Sequence, residues 1–500
     1  MEKTSFDLRC VLALLAAFAA VAAPGAAPAT VWDIYNVPDL DYALSNLGTG
    51  DELALNPGTY NLDRVVALNL QGVSIYGTSG NRDDVILVGG GMNVNGGVRE
   101  GITIGADNVS VSALTLKDFF HNALHLRAEN DISGATISNV KTWNIGQRHV
   151  KGSWDGNVNH TLDNTLIEKM YMLQTEPRQD NDPSGGDYIG GMDIMSTNNI
   201  IIRDCVAEGI RGFTGEGNAS IFLWQGHNNF LIERNVIIDT NKGIGIGLCY
   251  WAGNNISGGW HGDGGMIRNN FILRGDGYGG NNIGMELCHV KNTQVVNNTI
   301  YSPDADYFRT LSLWDSTSYP NTNLEIVNNL IRGGCWYNTD ASPAVDATVA
   351  GMGNLVDGDG TVVLPEWFVD VAAGNLHLTE LAAAAIDAAA ILPAVPYDID
   401  GGTRGSLFDF GADEFASPMG DANYDGVVDG DDHLIWADHY DQAGDWVQGD
   451  FTSNGWVDGG DYTRWADNYG YGAQAAAPVP APAVLGLLAI GWPLLVRRRR

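Results

Sequence analysis

Oxygen-bearing residues recur at a fixed spacing between positions 421 and 432 of this sequence. Counted from the first aspartate, they fall at positions 1, 3, 5, 9 and 12, with a main-chain carbonyl available at position 7 and Gly426 at position 6. This is the spacing with which a 12-residue loop surrounds Ca²⁺ with oxygen ligands. The predicted ligands are Asp421, Asn423, Asp425, Val427 (through its carbonyl), Asp429 and Asp432.

A second loop of the same form begins at residue 450, and Trp-Ala-Asp follows both loops at the same offset, at 436–438 and 465–467. This repetition argues against the alternative of a solvated acidic linker. Thr452 replaces the carboxylate or amide expected at its position, so we expect the second site to be the weaker one. Ca²⁺ is therefore the predicted cofactor. The second set of ligands is Asp450, Thr452, Asn454, Trp456 (through its carbonyl), Asp458 and Asp461.

Ionisable residues of another kind lie in six short alternating segments: ALHLR, RHVK, GMDIM, SIFLW, GMELC and TLSLW. Strand side chains alternate between faces, so the apolar residues should enter a core and the residues between them should point outward. We call this outward face the ledge. One predicted row of the ledge reads His125, His149, Asp193, Phe222, Glu286 and Ser312, and its neighbour reads Arg127, Lys151, Met195, Trp224, Cys288 and Trp314.

The ledge residues suggest acid–base chemistry. If adjacent strands stack about 4.8 Å apart, Arg127, His149, Lys151 and Asp193 converge within roughly 10 Å. Nearby positive charge lowers the pKa of a lysine, which makes Lys151 a candidate base and the other three candidate catalytic partners. The alternatives are a plain ion pair between Lys151 and Asp193, and surface roles for His125 and His149.

Two long polar insertions flank the ledge, at 173–188 and 250–265. Such loops on a regular scaffold often form binding walls. The first carries acidic residues that could hold Ca²⁺ in the cleft: Asp180, Asp182 and Asp187. Indole rings could stack on sugars. The candidate substrate-binding residues are His125, Trp224, Trp251, Trp260, Glu286 and Trp314.

A repeated phrase indicates which elements position these residues. NNIIIRDCVAEG, NNFLIERNVIIDT, GMIRNNFILRG, NTQVVNNTIYSP and NLEIVNNLIRGG each hold apolar residues around one Asn or Asp. A strand-sized unit at this period, without helical periodicity, predicts a parallel β-helix of about ten coils, with side chains of the repeated position bridging successive coils. That position falls at Asp204, Asn235, Asn270, Asn298 and Asn329.

Composition and the two ends of the sequence bound the remaining possibilities. Asp and Glu outnumber Lys and Arg by 60 to 27, which gives a net charge of −33 and disfavours nucleic acid as a partner. The apolar run at 11–23 followed by Ala-Pro-Ala predicts a secretory signal peptide cut near Ala29, with an anchoring helix as the alternative. Four cysteines remain after that cut, and we interpret them as core or wall thiols: Cys205, Cys249, Cys288 and Cys335.

Residues 31–416 resemble right-handed parallel β-helix proteins of the pectate-lyase-like superfamily. LGTGDELALNPGTYNL resembles their capping first coil, and YDIDGGTRGSLFDFGADEF resembles the closing segment of secreted bacterial members. The resemblance implies an all-β fold, a right-handed single-stranded parallel β-helix, and activity on polysaccharides. In its lyases, β-elimination of a uronate needs carboxylate neutralisation, a Lys or Arg base and a proton donor. Lys151 matches the base, and Arg127 or Ca²⁺ would neutralise the carboxylate.

The duplicated calcium loops resemble a dockerin, a small α-helical module that folds on Ca²⁺ and binds a cohesin-like protein. The end of the chain, PVPAPAVLGLLAIGWPLLVRRRR, resembles a PEP-CTERM sorting tail, with Pro-Ala-Pro in place of Pro-Glu-Pro. An ordinary terminal transmembrane helix is the alternative. The tail implies an exosortase-type sorting protease as a partner and a secreted or cell-surface location. The predicted domains are a signal peptide at 1–29, the β-helix at 30–416, the dockerin-like module at 417–474 and the tail at 475–500.

The functional hypothesis is cleavage of an acidic polysaccharide by β-elimination. A glycoside hydrolase of the same fold is one alternative, with Asp193 and Glu286 as acid and base, although the paired Asp, Gly-His-Gly and Arg-x-Lys motifs of polygalacturonases are not found. A non-catalytic, carbohydrate-binding surface adhesin is the other alternative, because fold alone does not determine activity in this superfamily.

Overall fold

The computed structural model describes residues 29–93, 97–179, 186–251, 253, 255–274, 282–302, 309–316, 318–338, 340–415, 419–423, 427–444, 446–452 and 454–471. The predicted signal peptide and sorting tail, together with Asp180, Asp182 and Asp425, therefore lie outside the described residues. The chain forms two compact units, one up to residue 378 with 382–414, the other of 379–381 with the residues from 415. In the described part of the chain, every helix is too short or too polar to span a membrane.

The first unit is dominated by one 34-stranded sheet whose strands pair in parallel with the corresponding strand of the next coil. This pairing confirms the predicted parallel β-helix. A first column of ten strands carries the ledge. In order, these strands are Val66–Leu68, Glu100–Ile104, Asn122–Arg127, Arg148–Ser153, Gly190–Asn198, Ala219–Asn228, Lys242–Ile246, Ile283–Cys288, Arg309–Trp314 and Cys335–Tyr337.

Two further columns complete each coil, and several long strands serve more than one column. The second consists of Val31–Ile34, Glu52–Leu55, Ser74–Gly77, Ser110–Lys117, Thr136–Trp143, Leu166–Glu168, Ile201–Arg203, Leu231–Glu233, Met266–Arg268, Val290–Val296 and Thr322–Val327. The third adds Gly58–Asn61, Val85–Val88, Tyr171–Leu173, Val206–Glu208, Val236–Ile238, Phe271–Leu273, Thr299–Tyr301, Leu330–Arg332 and Leu355–Asp357.

Short elements join or close these columns. Ile132–Ser133, Leu162–Asp163 and Gly262–Asp263 are short strands that pair in parallel with strands of neighbouring coils. Asp340–Ala341 pairs antiparallel with the last strand of the first column. Phe368–Asp370 pairs antiparallel with Asn375–Leu378. The α-helices of this unit are Val37–Ser45 and Pro343–Gly351. Among the described residues, the 3₁₀ turns are Ala128–Asn130, Asn255–Ser257, Pro365–Trp367, Glu380–Ala382 and Trp446–Gln448.

The second unit contains two helices, Gly430–Asp438 and Gly459–Asn468, and a small antiparallel pair, Gln442–Ala443 with Trp456–Val457. Each helix starts with a capping box: the side chain of Asp429 or Asp458 caps the helix, and Asp432 or Asp461 accepts from that cap residue's backbone N–H. Each predicted calcium loop is therefore followed by a helix.

A ladder of asparagines runs through the first unit. Asn235 Nδ2 donates to Asn270 Oδ1 at 2.9 Å, and the same side-chain bond continues through Asn298 and Asn329 to Asn354. The predicted bridging is thus confirmed for these residues. The prediction for Asp204 is wrong, because the backbone N–H of Cys205 begins the ladder by donating to Asn235 Oδ1.

Asp204 belongs instead to a neighbouring row of left-handed corner residues. Its φ of 55° matches those of Arg234, Asn269, Asn297 and Asn328, which precede the ladder residues in later coils. Asn and Asp tolerate this conformation better than most residues because their short polar side chains bond locally. The sequence pattern placed Asp204 one residue away from its true neighbours.

The cysteines differ from their predicted state. Cys249 and Cys288 form a disulfide between two coils, so the interpretation of these two as thiols is wrong. Cys205 and Cys335 are buried free thiols, as predicted, and burial raises the pKa of Cys205 to about 12. Residues 249 and 288 are far apart in sequence, and their spacing alone did not reveal that they meet on adjacent coils.

Candidate active site on the ledge and candidate calcium loops

The centre of the ledge is the buried carboxylate of Asp193. Arg148 Nε donates to its Oδ2 at 2.8 Å, Lys151 Nζ lies 3.1 Å from the same oxygen, and Trp224 Nε1 donates to Oδ1 at 2.8 Å. Burial alone raises the pKa of Asp193, but the two cations outweigh it and hold that pKa below its usual range. Asp193 is therefore a fixed anion that orients its neighbours.

Lys151 occupies the row that sequence alternation assigned to His149. In the strand pairing, Lys151 lies beside His125 on one side and Asp193 on the other. Its side chain is 16% exposed. Burial lowers its pKa, Asp193 acts in the opposite direction, Arg148 adds to the lowering, and the net shift is downward. This lysine can thus lose its proton more readily than a solvated one.

The predicted outward position of His149 is wrong. Its ring is fully buried, with Nδ1 2.7 Å from Thr142 Oγ1. Burial lowers its pKa to about 3, so this imidazole is neutral at ordinary pH. Side chains three residues apart would face opposite sides of a strictly alternating strand. Arg148 and Lys151 nevertheless both contact the outward-facing Asp193, which shows that alternation fails at this strand.

Glu100 was missed by the sequence analysis and organises the other basic residues of the ledge. His125 Nδ1 lies 2.7 Å from Glu100 Oε1, and Arg127 Nη2 lies 3.9 Å from Glu100 Oε2. Arg127 is 40% exposed at its side chain. The strand Glu100–Ile104 pairs with Asn122–Arg127, so its EGITI phrase could have been recognised as an earlier coil of the ledge.

Aromatic rings lie next to these charges. Phe222 and Trp224 stack with ring centroids 5.9 Å apart, and Trp314 packs against the highly exposed ring of Tyr250. Trp251 is exposed on the second insertion. Trp260 packs instead against Tyr319 and under the ammonium of Lys291, so it is engaged within the protein. Trp224 and Trp314 are the predicted aromatics that flank ledge carboxylates.

Glu286 forms a separate group farther along the same row. Ser312 Oγ and Trp314 Nε1 donate to its Oε1 at 3.3 and 3.1 Å, and Arg309 Nη1 lies 3.7 Å away. The row runs from Asp193 through Phe222 and Gly245 to Glu286. Three steps of about 4.8 Å separate the two carboxyl-bearing residues by roughly 14 Å.

That separation bears on the hydrolase alternative. Glycosidase carboxyl pairs lie roughly 5–9.5 Å apart. Asp193 is tied to Arg148, Lys151 and Trp224, and Glu286 to residues of the following coil, so neither side chain leans toward the other. The proposed acid–base pair of Asp193 and Glu286 therefore does not form.

The first insertion contributes one described candidate for a cleft cation. Asp187 accepts from the backbone N–H of Thr214 and from its hydroxyl, both at 2.8 Å. Both of its oxygens are thus used to close the loop. Asp187 does not fit the role of a cleft calcium ligand in this arrangement.

The predicted calcium loops of the second unit bury their end carboxylates. Asp421, Asp432, Asp450 and Asp461 are at most 2% exposed. Asp432 accepts from the backbone N–H groups of residues 422, 423 and 429, and Asp461 from those of 452 and 458. Buried carboxylates with oxygens gathered from positions 1 and 12 fit a cation ligand set. Asp450 also accepts from Thr452 Oγ1 at 3.3 Å.

Hydrogen bonds from two tryptophans connect the two loops. Trp436 Nε1 donates to the carbonyl of Asp458 at 3.0 Å, and Trp465 Nε1 donates to the carbonyl of Asp429 at 2.8 Å. Each tryptophan belongs to the helix that follows one loop and bonds the helix cap of the other. The repeated Trp-Ala-Asp motif thus has a structural role, which the sequence pattern alone did not reveal.

Comparison with solved structures adds likenesses of low similarity. The chain matches an alginate lyase from Paenibacillus sp. (14% identity, TM-score 0.37, covering 62% of this chain and 98% of that one). It matches an endo-xylogalacturonan hydrolase from Aspergillus tubingensis (12% identity, TM-score 0.37, covering 66% of this chain and 99% of that one). It also matches the A-module of a mannuronan C-5 epimerase from Azotobacter vinelandii (14% identity, TM-score 0.31, covering 65% of this chain and 95% of that one). The names of these three proteins describe three different activities.

No family model and no curated protein matches this sequence. TM-scores this low assign neither a family nor an activity, so the function must be argued from the ledge itself.

Proposed function

We propose that this protein is a secreted or surface-attached enzyme that cleaves an acidic polysaccharide by β-elimination on the ledge. The observation that carries the proposal is Lys151, a partly buried lysine with a lowered pKa on an outward row of basic residues. Around Asp193 and Glu100, three cationic side chains face two carboxylates, in a chain of net charge −33. Of these cations, Arg127 is 40% exposed and is the one that a polyanion can reach.

Each step of an elimination has a candidate residue. Arg127 is the most exposed of the three cations and would neutralise the uronate carboxylate, which acidifies the C5 proton. Lys151 would take that proton. His125, one coil away and held by Glu100, lies where it could donate to the leaving oxygen. Asp193 positions Lys151, and His149 has no role in this scheme.

The test is a screen of uronate polymers with and without Ca²⁺, following the ultraviolet absorbance of the unsaturated product. We expect absorbance to rise with at least one alginate, pectate or glycosaminoglycan substrate. New reducing ends without absorbance would indicate a hydrolase. Binding without either product would indicate the adhesin, which the Phe222–Trp224 stack supports as the second candidate.

We also propose that the second unit is a dockerin-like module that binds Ca²⁺ and attaches the enzyme to a cohesin-like partner. The buried end carboxylates of both loops support this proposal, because they need a cation to offset their charge. A disulfide such as Cys249–Cys288 is typical of proteins from oxidising compartments, which supports secretion.

Calorimetry of the full-length protein should detect Ca²⁺ bound by both loops, the second more weakly. Asp432→Asn should abolish binding at the first loop, because it removes the negative charge from a fully buried ligand. The matched control is Asp431→Asn, which changes the exposed neighbouring residue and should bind like wild type. Equal Ca²⁺ uptake in wild type and Asp432→Asn would contradict the ligand set.

A further inference from the structure

A second polar cluster lies far from the ledge residues in sequence, where residues 368–414 pack against the coils of the first unit. His377 belongs to the strand Asn375–Leu378, and its ring packs edge-on against Phe271 of the third column at 5.1 Å. Buried Arg404 fixes the segment, with Nη2 donating to Asn269 Oδ1 at 3.0 Å. The cluster therefore sits on a well-anchored part of the fold.

Three potential metal ligands converge in this cluster. One ring nitrogen of His377, one oxygen of Asp400 and one oxygen of Asp413 lie within 4.8 Å of one another. They come from separate points of the segment. His377 and Asp400 also line a groove of about 660 Å³, together with residues of the coils such as Lys169 and Arg234. The site is thus open to ions and small ligands from solution.

The hydrogen bonds of His377 make Nε2 the ring nitrogen that can coordinate a metal ion. Nδ1 lies 2.5 Å from Asn375 Oδ1, an oxygen that also accepts the backbone N–H of residue 377 at 3.2 Å. An amide oxygen only accepts, so Nδ1 carries the hydrogen, and in the neutral ring Nε2 bears a lone pair. Nε2 is buried and forms no hydrogen bond, although Asp400 Oδ2 is 3.0 Å away.

The two carboxylates of the cluster lie close together, and that of Asp413 is buried. One oxygen of Asp413 accepts from the backbone N–H of Leu378 at 2.7 Å. A lone pair and two carboxylates that face one another repel, and a cation between them removes that repulsion.

We propose that His377, Asp400 and Asp413 bind a divalent transition-metal ion of the Zn²⁺ class. One imidazole nitrogen with two carboxylate oxygens suits Zn²⁺, whereas Ca²⁺ prefers oxygen ligands alone. A tetrahedron with bonds near 2.0–2.1 Å has edges of about 3.4 Å. Asp400 Oδ2 already lies 3.0 Å from Nε2, and its side chain is 69% exposed, so it can turn to adjust its distance to Asp413. Asn375 orients the imidazole, and water or a ligand in the groove completes the coordination.

The ion would join three points of the terminal segment to one centre. An ion that binds only the folded state stabilises that state by mass action. Because all three ligands belong to this segment, the proposed site would cross-link the segment internally, independently of any chemistry on the ledge.

The test uses full-length protein freed of metal with a chelator and then saturated with Ca²⁺, so that the loops of the second unit are filled. Titration with ZnCl₂ by calorimetry should show one Zn²⁺ that depends on His377. His377→Ala should weaken this binding at least 100-fold. The matched control is His160→Ala, since His160 Nδ1 also lies 3.0 Å from an aspartate, Asp155, but belongs to no three-ligand cluster among the described residues. This variant should bind Zn²⁺ like wild type.

Two further variants separate ligand loss from misfolding. Asp400→Asn changes a largely exposed side chain, so it should keep the wild-type circular dichroism yet lose both the Zn²⁺ and the rise in melting temperature that Zn²⁺ causes. Asn375→Ala should weaken binding about 10- to 100-fold. The proposal is overturned if wild type, His377→Ala and Asp400→Asn bind Zn²⁺ with the same affinity and stoichiometry, or if wild type binds no Zn²⁺.

Discussion

Replacement of Lys151 by Ala should lower kcat on the uronate polymer that the screen identifies by about 10²- to 10⁴-fold, the usual contribution of a general base. KM should change far less, because Arg127 still meets the substrate. In wild type the rate should rise with pH, since only deprotonated Lys151 accepts the C5 proton, and the midpoint should fall below the ordinary lysine pKa because burial lowers it. Initial rates of product absorbance across pH measure both effects.

Lys141→Ala is the matched control for this variant. Lys141 is also paired with an aspartate, Asp83, at 3.0 Å, and its side chain is 17% exposed, but it lies on the strand Thr136–Trp143 outside the first column. Its loss should leave activity unchanged. Wild-type activity in Lys151→Ala would remove Lys151 from the mechanism, and equal losses in both variants would point to a general effect on folding.

Replacement of Asp193 by Ala should destabilise the first unit by about 3–5 kcal/mol, because it leaves two buried cations, Arg148 and Lys151, without their counter-charge. Urea unfolding followed by circular dichroism measures the change. The pKa of Asp193 is lowered in the folded state, so its stabilising effect is complete above the ordinary aspartate value of about 3.9 and is lost as pH falls through the folded-state value. The difference in free energy of unfolding between wild type and variant should therefore decrease at acidic pH.

Asp83→Ala provides the comparison for that measurement. Asp83 pairs with Lys141, but its side chain is 58% exposed, so its loss should change stability by no more than about 0.5 kcal/mol. If Asp193→Ala is no more damaging than Asp83→Ala, the ledge carboxylate is not the fixed anion inferred from its contacts.

Much of the fold was predictable because repetition averages out local irregularities. The apolar positions of six segments all enter the core, and the asparagines from 235 onward form the predicted ladder. Register within a single coil was less predictable. A period of two places His149 outward, whereas the strand Arg148–Ser153 turns Arg148 and Lys151 toward Asp193 and buries His149.

The parts of the site that escaped prediction depend on contacts between coils. Glu100 stands at the start of its strand, outside the apolar alternation that identified the ledge, and it matters only because His125 and Arg127 of the next coil reach it. The Cys249–Cys288 disulfide and the His377 cluster likewise join residues that are distant in sequence. Spacing along a chain gives no measure of such distances.

The exchange of tryptophan hydrogen bonds in the second unit makes its two loops thermodynamically coupled. The bond from Trp436 ends on the carbonyl of Asp458, and that from Trp465 ends on the carbonyl of Asp429, so ordering either loop fixes a helix cap of the other. In the proposed calcium-binding module, order in one loop would favour order in the other, and because linkage is reciprocal the effect on ion binding would be equal in both directions. The module should therefore respond to Ca²⁺ over a narrower concentration range than two independent sites. A substitution that weakens Ca²⁺ binding at one loop should also lower the Ca²⁺ affinity of the other.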